Sequence, residues 1–293
     1  MHPPSSQPPG LDTIDPPPVF VGGTGRSGTT VCARLLGTHS RYHMIPIEIR
    51  FHATPGGLSD VLDDPSRLET FLSRMRSRWF IRKLEDGSAR GLHRLFEWEI
   101  LDRALTSFER RFPQDAEGAG RSLMQSLLLP LVEKAGKLSW VEMTPPNIEQ
   151  AGTINRLFPE ARFIHMTRDG RDVACSVKQM PWAPEPLLHR LDWWAAALKA
   201  ARAGASEVPR DRILTLSLED LVRDNREESY ERLLAFLELE DELPMRGFFE
   251  SMVTPERAHV GRWRNDVGHE AEMFISRYQE LVEQFTREAP GPP

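Results

Sequence analysis

The stretch that most constrains this chain is Gly22 to Thr30, "GGTGRSGTT", which follows the apolar run Val19-Phe20-Val21. A short β-rich run that ends in two glycines and opens a helix near Thr29 leaves several backbone N–H groups unpaired at one point, beside the positive end of a helix dipole. Such a point binds phosphate or sulfate. It also begins a strand-then-helix rhythm that the rest of the chain repeats.

Three further runs, "LSWVEM" (Leu138 to Met143), "RFIHMT" (Arg162 to Thr167) and "RILTLS" (Arg212 to Ser217), read as buried strands. Tyr230, Leu233, Leu234 and Leu237 mark one face of a helix. Between the first two strands, about Ser59 to Lys137, amphipathic patterns such as Phe71, Met75 and Trp79, or Leu92, Phe96 and Ile100, predict a helical insertion. The alternation of β and α, with few hairpin signals, predicts an α/β fold: a parallel sheet flanked by helices on both faces. We expect one domain over 18–288 with 59–137 as the insertion, a disordered proline-rich leader over 1–17 and a frayed tail over 289–293.

The leader contains no lysine, arginine or apolar stretch, so it fits neither a secretory signal nor a transit peptide. No run approaches the roughly 18 consecutive apolar residues of a membrane span. The expected location is therefore the cytoplasm, without integral membrane association. Cys32 and Cys175 lack metal-ligand or disulfide spacing and read as small buried fillers. A net charge of −6 argues against nucleic acid as a partner but leaves room for a local basic pocket.

Aligned to the P-loop pattern G-x-x-x-x-G-K-[ST], the opening stretch gives Gly23, four residues and Gly28, then Thr29 in place of the lysine and Thr30 at the metal-binding hydroxyl. A kinase or ATPase would also want an aspartate at the end of a neighbouring apolar strand to hold Mg²⁺. None of the four strands ends in one, and only Glu142 and Glu219 stand nearby as substitutes. The architecture is that of a P-loop, but the triphosphate machinery is missing.

"GRSGTT" after a strand resembles the 5′-phosphosulfate loop of sulfotransferases that use 3′-phosphoadenosine-5′-phosphosulfate (PAPS). That resemblance implies that Arg26 contacts the bridging region and the sulfuryl group, while Ser27, Gly28, Thr29 and Thr30 hold the 5′-phosphate. It also implies an arginine after an internal strand with a serine eight positions on, together gripping the 3′-phosphate. "FIHMTRDGRDVACS" supplies Arg168 and Ser176 at that spacing. "ERAHVGRWRND" (Glu256 to Asp266) resembles the family's C-terminal loop G-x-x-G-x-W-[KR], with Gly261, Trp263 and Arg264 in place and Ala258 where the first glycine would be. Arg257, Arg262 and Arg264 suit a lid over an anionic cofactor.

For sulfuryl transfer to a hydroxyl, the sequence offers Glu48 as base, in "HMIPIEIRFH". In tyrosylprotein sulfotransferases and similar bacterial enzymes a Glu-x-Arg glutamate follows the loop at nearly this distance and acts as the base. His52 and His43 are the runners-up. "WVEMTPPN" resembles the family's Trp-x-Glu-Lys-Thr-Pro-x-Asn segment with Met143 at the lysine, and "LSLEDL" a Tyr-Glu-Asp-Leu segment with Leu218 at the tyrosine. The expected reaction is an in-line, metal-independent transfer to a carbohydrate, lipid or small-metabolite hydroxyl, in a pocket shaped by the insertion and by Trp182 to Trp194. A divergent P-loop kinase and a catalytically impaired protein that binds PAPS or its product PAP are the alternatives. Oligomeric state is not encoded in any pattern here.

Overall fold

In chain order the strands are β1 (Val19–Gly23), β2 (Tyr42–Met44), the short β3 (Arg82–Lys83) and β4 (Ala89–Arg90), then β5 (Ser139–Glu142), β6 (Arg162–Thr167) and β7 (Ile213–Ser217). The computed structural model describes residues 14–84 and 87–288. Five strands form one sheet in the order β2-β5-β1-β6-β7, and every neighbouring pair is parallel. All five carboxyl ends therefore open on the same edge. The chain leaves β1 toward β2 and β5 on one side and later crosses to β6 and β7 on the other, which makes the end of β1 the switch point where such sheets bind ligands.

Burial on both faces explains why these strands read as continuous apolar runs rather than alternating ones. Val19, Val21, Val141, Ile164, Met166 and Leu216 face one core, completed by the helices Thr29–Gly37, Arg226–Leu237 and Leu243–Met252. Phe20, Trp140 and Phe163 face the other, where the helices Leu68–Arg76, Trp98–Arg111 and Ala116–Lys134 supply Phe71, Met75, Leu105, Phe108 and Leu123. The stretch 59–137 is thus a covering layer of the main sheet. A third apolar cluster joins the helices Gly170–Val177, Leu187–Ala205 and Ala271–Glu288 through Val173, Trp194, Phe274 and Leu281.

Several expectations need correction. Leu92, Phe96 and Ile100 do not share a helix face: Leu92 lies in a short 3₁₀ turn, the helix starts at Trp98, and its register buries Leu101, Ala104, Leu105 and Phe108 while Ile100 stays exposed. The insertion is not wholly helical, since β3 and β4 form an antiparallel hairpin within it. β2 is a strand the sequence did not announce. Of the leader, residues 1–13 fall outside the described residues, as does the tail 289–293. Ile14 is buried in the main core and the Pro17 carbonyl accepts a hydrogen bond from Tyr42 Oη at 3.2 Å, so ordered packing begins before residue 18. Cys32 and Cys175 are buried free thiols. No helix among the described residues is long and apolar enough to cross a membrane.

Two glycines make the end of β1 possible. A Cβ on Gly22 would sit 2.8 Å from both Ile148 N and Pro145 O, because the 145–148 turn crosses the strand there. Gly23 has φ 147°, and a Cβ would come within 2.1 Å of Met166 O. Only glycine admits this approach of three backbones.

Candidate active site

From Gly23 the chain turns through Thr24, Gly25, Arg26 and Ser27 to Gly28, which has φ 96° and starts the helix Thr29–Gly37. No side chain caps that helix. Its first-turn N–H groups and the positive end of its dipole face a cavity of about 760 Å³ lined by Gly28, Thr29, Thr30 and Val31. Ser27 behaves differently from expectation: it is fully buried, and its hydroxyl closes the loop's own turn on Thr24 O at 2.7 Å. Its side chain is absent from the cavity wall.

The second motif arrives from β6. Arg168, one residue past the strand, lines the same cavity as Ser176 in the helix Gly170–Val177. Arg26 Nε donates to Ser176 Oγ at 3.0 Å, joining two motifs that are 150 residues apart in sequence. Arg168 donates to the carbonyls of Arg26 (3.1 Å), Ala258 (2.8 Å) and His259 (3.1 Å). Its side chain is only 6% exposed, yet its Nε has no partner among the described residues. Burial pushes the guanidinium below its ordinary value, Arg262 and Arg26 add to that, and Asp172 and Glu219 oppose it. A buried, crowded cation with an unused N–H is a site that gains from an anion.

The 257–263 segment closes over this corner. Arg257, Ala258, His259 and Arg262 line the cavity; Gly261 and Trp263 anchor the segment by donating their amides to Asp172 at 2.6 and 3.0 Å. Gly261 is therefore an anchor of the lid and does not itself face the cavity. Arg171 lies 4.3 Å over the Trp263 ring and 4.5 Å over Tyr278. Asp172→Asn is expected to leave one lid amide without an acceptor, lowering stability by about 1–3 kcal/mol. Urea unfolding would read that loss, and amide exchange would rise at Gly261 or Trp263.

Glu48 lines the cavity with its side chain 38% exposed and Arg50 Nε 3.8 Å from its carboxylate. Burial raises its pKa and the charge of Glu142 adds to that, against Arg50 and Arg26. His52 is elsewhere: it is 1% exposed, its Nε2 lies 2.6 Å from Asn147 Oδ1 and 3.3 Å from Glu142, and it does not line the cavity. His43 sits mid-strand in β2 and does not line it either. Met143 is 6% exposed and packs in the core, so the wall carries no cation from that position. Leu218 occupies the tyrosine position by packing against Gly28.

Across the mouth stand Trp182 and Trp193, ring centroids 5.3 Å apart, next to Gly25. Trp194 faces the other way into the third core cluster. Among the described residues the walls carry seven arginines, Arg26, Arg34, Arg50, Arg90, Arg168, Arg257 and Arg262, against two carboxylates, Glu48 and Glu149. Backbone strain concentrates here as well: of the four non-glycine residues with positive φ among the described residues, Arg26, Arg50 and His259 line this cavity. The arrangement can hold a polyanion against its arginines and presents two aromatic faces at its mouth.

A model of the sulfotransferase family matches residues 17–243, which include the loop, Glu48, Arg168 and Ser176. The chain belongs to the sulfotransferase family. Protein-tyrosine sulfotransferase 2 of Gallus gallus is 25% identical to it over 228 residues, 75% of this chain and 51% of that protein. The chain thus spans about half the length of this curated relative. The sulfotransferase domain of the Synechococcus PCC 7002 olefin synthase superposes with a TM-score of 0.56 at 18% identity, covering 97% of this chain and 99% of that one. The sulfotransferase domain from the curacin biosynthetic pathway gives 0.51 at 17% identity, covering 96% and 99%. At these identities the likeness is one of fold, and it extends through the helical layer over 59–137.

Sequence reasoning did not find Arg34, Arg90 or Glu149. Arg34 was legible in principle, being one helical turn beyond Thr30 and so on the same face. Arg90 reaches this sulfotransferase cavity from the unannounced hairpin, and Glu149 from a turn after Asn147, where no local pattern marks them.

Proposed function

We propose that this chain transfers a sulfuryl group from PAPS to the hydroxyl of a carbohydrate, lipid or small-metabolite acceptor. The observation that carries the reading is the bond between Arg26 and Ser176, which unites the phosphate loop with the Arg168 motif in one arginine-lined cavity. The residues present fit the cofactor: an uncapped helix start for a 5′-phosphosulfate, and the unused Nε of a buried arginine for a 3′-phosphate. Arg26, Gly28, Thr29 and Thr30 would hold the first group. Arg168, Ser176, Arg257 and Arg262 would hold the second. When bound, PAPS supplies an activated sulfuryl group on a phosphate leaving group.

The chain's own part is positioning and charge. Arg26 and the helix start face negative charge that grows on the leaving side. Glu48, on the same cavity wall, takes the acceptor hydroxyl's proton, and its raised pKa makes it a stronger base than an ordinary glutamate. Trp182 and Trp193 offer apolar faces to the acceptor ring. Arginine supplies the cationic surface that a kinase would take from lysine and Mg²⁺. The two glutamates that could substitute for a metal-binding aspartate are committed: Glu219 to Asp169 N and Ser217 Oγ, Glu142 to the buried donors described below.

Calorimetric titration with PAP in the presence of EDTA tests the reading, with micromolar or tighter binding expected. Absence of PAP binding, together with ATP binding that requires Mg²⁺, would replace it with a divergent kinase. PAP binding with no transfer to any hydroxyl acceptor in a broad panel would leave a PAP-binding protein that has lost turnover.

A further inference from the structure

Bonded to the Glu48 segment, and outside the lining of the cavity, lies a fully buried polar cluster. Glu142, the last residue of β5, is 0% exposed. It accepts hydrogen bonds from Ile49 N (3.2 Å), Thr144 N (2.9 Å), Thr144 Oγ1 (2.6 Å) and Asn147 Nδ2 (2.7 Å), with His52 Nε2 at 3.3 Å. Arg50 N donates to Thr144 Oγ1 at 3.2 Å. Asn147 Nδ2 also donates to Val21 O at 3.0 Å. A carboxylate removed from water is costly unless each of its lone pairs is used, and here both oxygens are saturated.

The donors on this carboxylate have a direction. Two successive amides, those of Ile49 and Arg50, are drawn inward by Glu142 and by Thr144, and the residue just before them is Glu48. Arg50 has φ 63°, a conformation a non-glycine residue holds only when its surroundings over-determine it. On its other side the Arg50 carbonyl accepts from Ala53 N, Thr54 N and Thr54 Oγ1. Through Asn147 the same cluster grips the carbonyl of Val21, the residue that precedes the two loop glycines.

We propose that Glu142 is a positioning residue: with Thr144 and Asn147 it locks the Glu48–Arg50 backbone to the strand that carries the phosphate loop, so that the Glu48 carboxylate is held at a fixed place on the cavity wall. This rests on the reading of Glu48 as the base. His52 has a structural part in it, as a buried partner whose Nε2 lies 3.3 Å from the Glu142 carboxylate and 2.6 Å from Asn147 Oδ1. Burial pushes Glu142 up, but His52 and the hydrogen bonds from His52 and Thr144 hold it below the ordinary carboxylate range. The charged groups facing Glu48 are Arg50, Arg26 and Glu142 itself. Glu142 thus acts on Glu48 twice, through the Ile49 amide and through its charge.

The full chain, isotopically labelled, allows a test that needs no acceptor. In Glu142→Gln the Ile49 amide is expected to exchange about tenfold faster or more while the rest of the sheet keeps its protection. The Glu48 carboxyl, followed by ¹³C NMR, is expected to titrate at a lower pH than in wild type, and affinity for PAP is expected to hold within about twofold. Thr144→Ala should free the Arg50 amide in the same way, and Thr144→Ser should restore it; this pair serves if Glu142→Gln does not fold. Unchanged exchange at Ile49 and Arg50 and an unmoved Glu48 titration in folded variants would overturn the positioning role, as would protection lost uniformly across the sheet. Full transfer activity in Glu48→Gln would sink the base assignment even if the amides respond as expected.

Discussion

Arg168→Ala is expected to weaken PAP binding by about 30- to 5,000-fold, the equivalent of losing one buried charge-assisted partner worth roughly 2–5 kcal/mol. The size follows from burial. Arg168 has 6% of its side chain exposed, so water cannot replace it opposite a phosphate, and its Nε is free to donate. Its other nitrogens hold the carbonyls of Arg26, Ala258 and His259, so the substitution also loosens the contact between loop and lid. Arg168→Lys separates these effects: it keeps the charge but loses the planar fork, and an intermediate affinity is expected. Asp172 still accepts from the Gly261 and Trp263 amides in both variants, so the lid keeps that anchor even where the Arg168 contacts are lost. Calorimetry on the two variants checks this; affinity within threefold of wild type in Arg168→Ala would mean that the 3′-phosphate is held elsewhere.

How much of this was legible depends on the range over which each signal acts. The loop announced itself because its chemistry is local: four glycines, a helix start and an arginine lie within nine residues, from Gly22 to Thr30. Arg168 and Ser176 came from the resemblance, which asks for an arginine and a serine eight positions apart; that Ser176 meets Arg26 is a tertiary contact, Nε to Oγ at 3.0 Å, that no local pattern announces. The strand at Tyr42–Met44 was not legible, since three residues with a histidine in the middle carry no periodicity; it exists because β5 offers an unpaired edge. Ile100 was placed on the wrong face because the period was counted through Leu92 and Phe96, which precede the helix that starts at Trp98. His52 looked available in sequence because nothing local says that Glu142 and Asn147, ninety or more residues on, will enclose it. Arg90 enters the cavity for a like reason, from a hairpin whose two paired strands are two residues each.

Glu48→Gln is expected to lower kcat by about 10²- to 10⁴-fold, the usual worth of a positioned general base, while PAP affinity stays near wild type. The split matters, because loss of cofactor grip would instead appear in the titration. The pH profile adds a second signature. Glu48 must be ionised to accept a proton, and burial holds its pKa above the ordinary glutamate value. The wild-type rate should therefore climb with pH through a midpoint above about 4.3, the unperturbed glutamate value, and Glu48→Gln should lose that limb. Stability responds with a sign that a damaged fold would not reproduce. A carboxyl whose folded pKa is raised binds its proton more tightly in the native state. Its contribution is present below the unfolded pKa and is lost as pH rises through the folded one. At neutral pH the ionised Glu48 is thus a burden on the fold, partly relieved by the half-exposed Arg50, and the glutamine variant should melt no lower than wild type. Glu149 is the control, since it lines the same cavity and burial raises its pKa too. If Glu149→Gln abolishes the acid limb and Glu48→Gln leaves it in place, the proton goes to Glu149, and the Glu142 cluster has been holding the wrong carboxylate for catalysis.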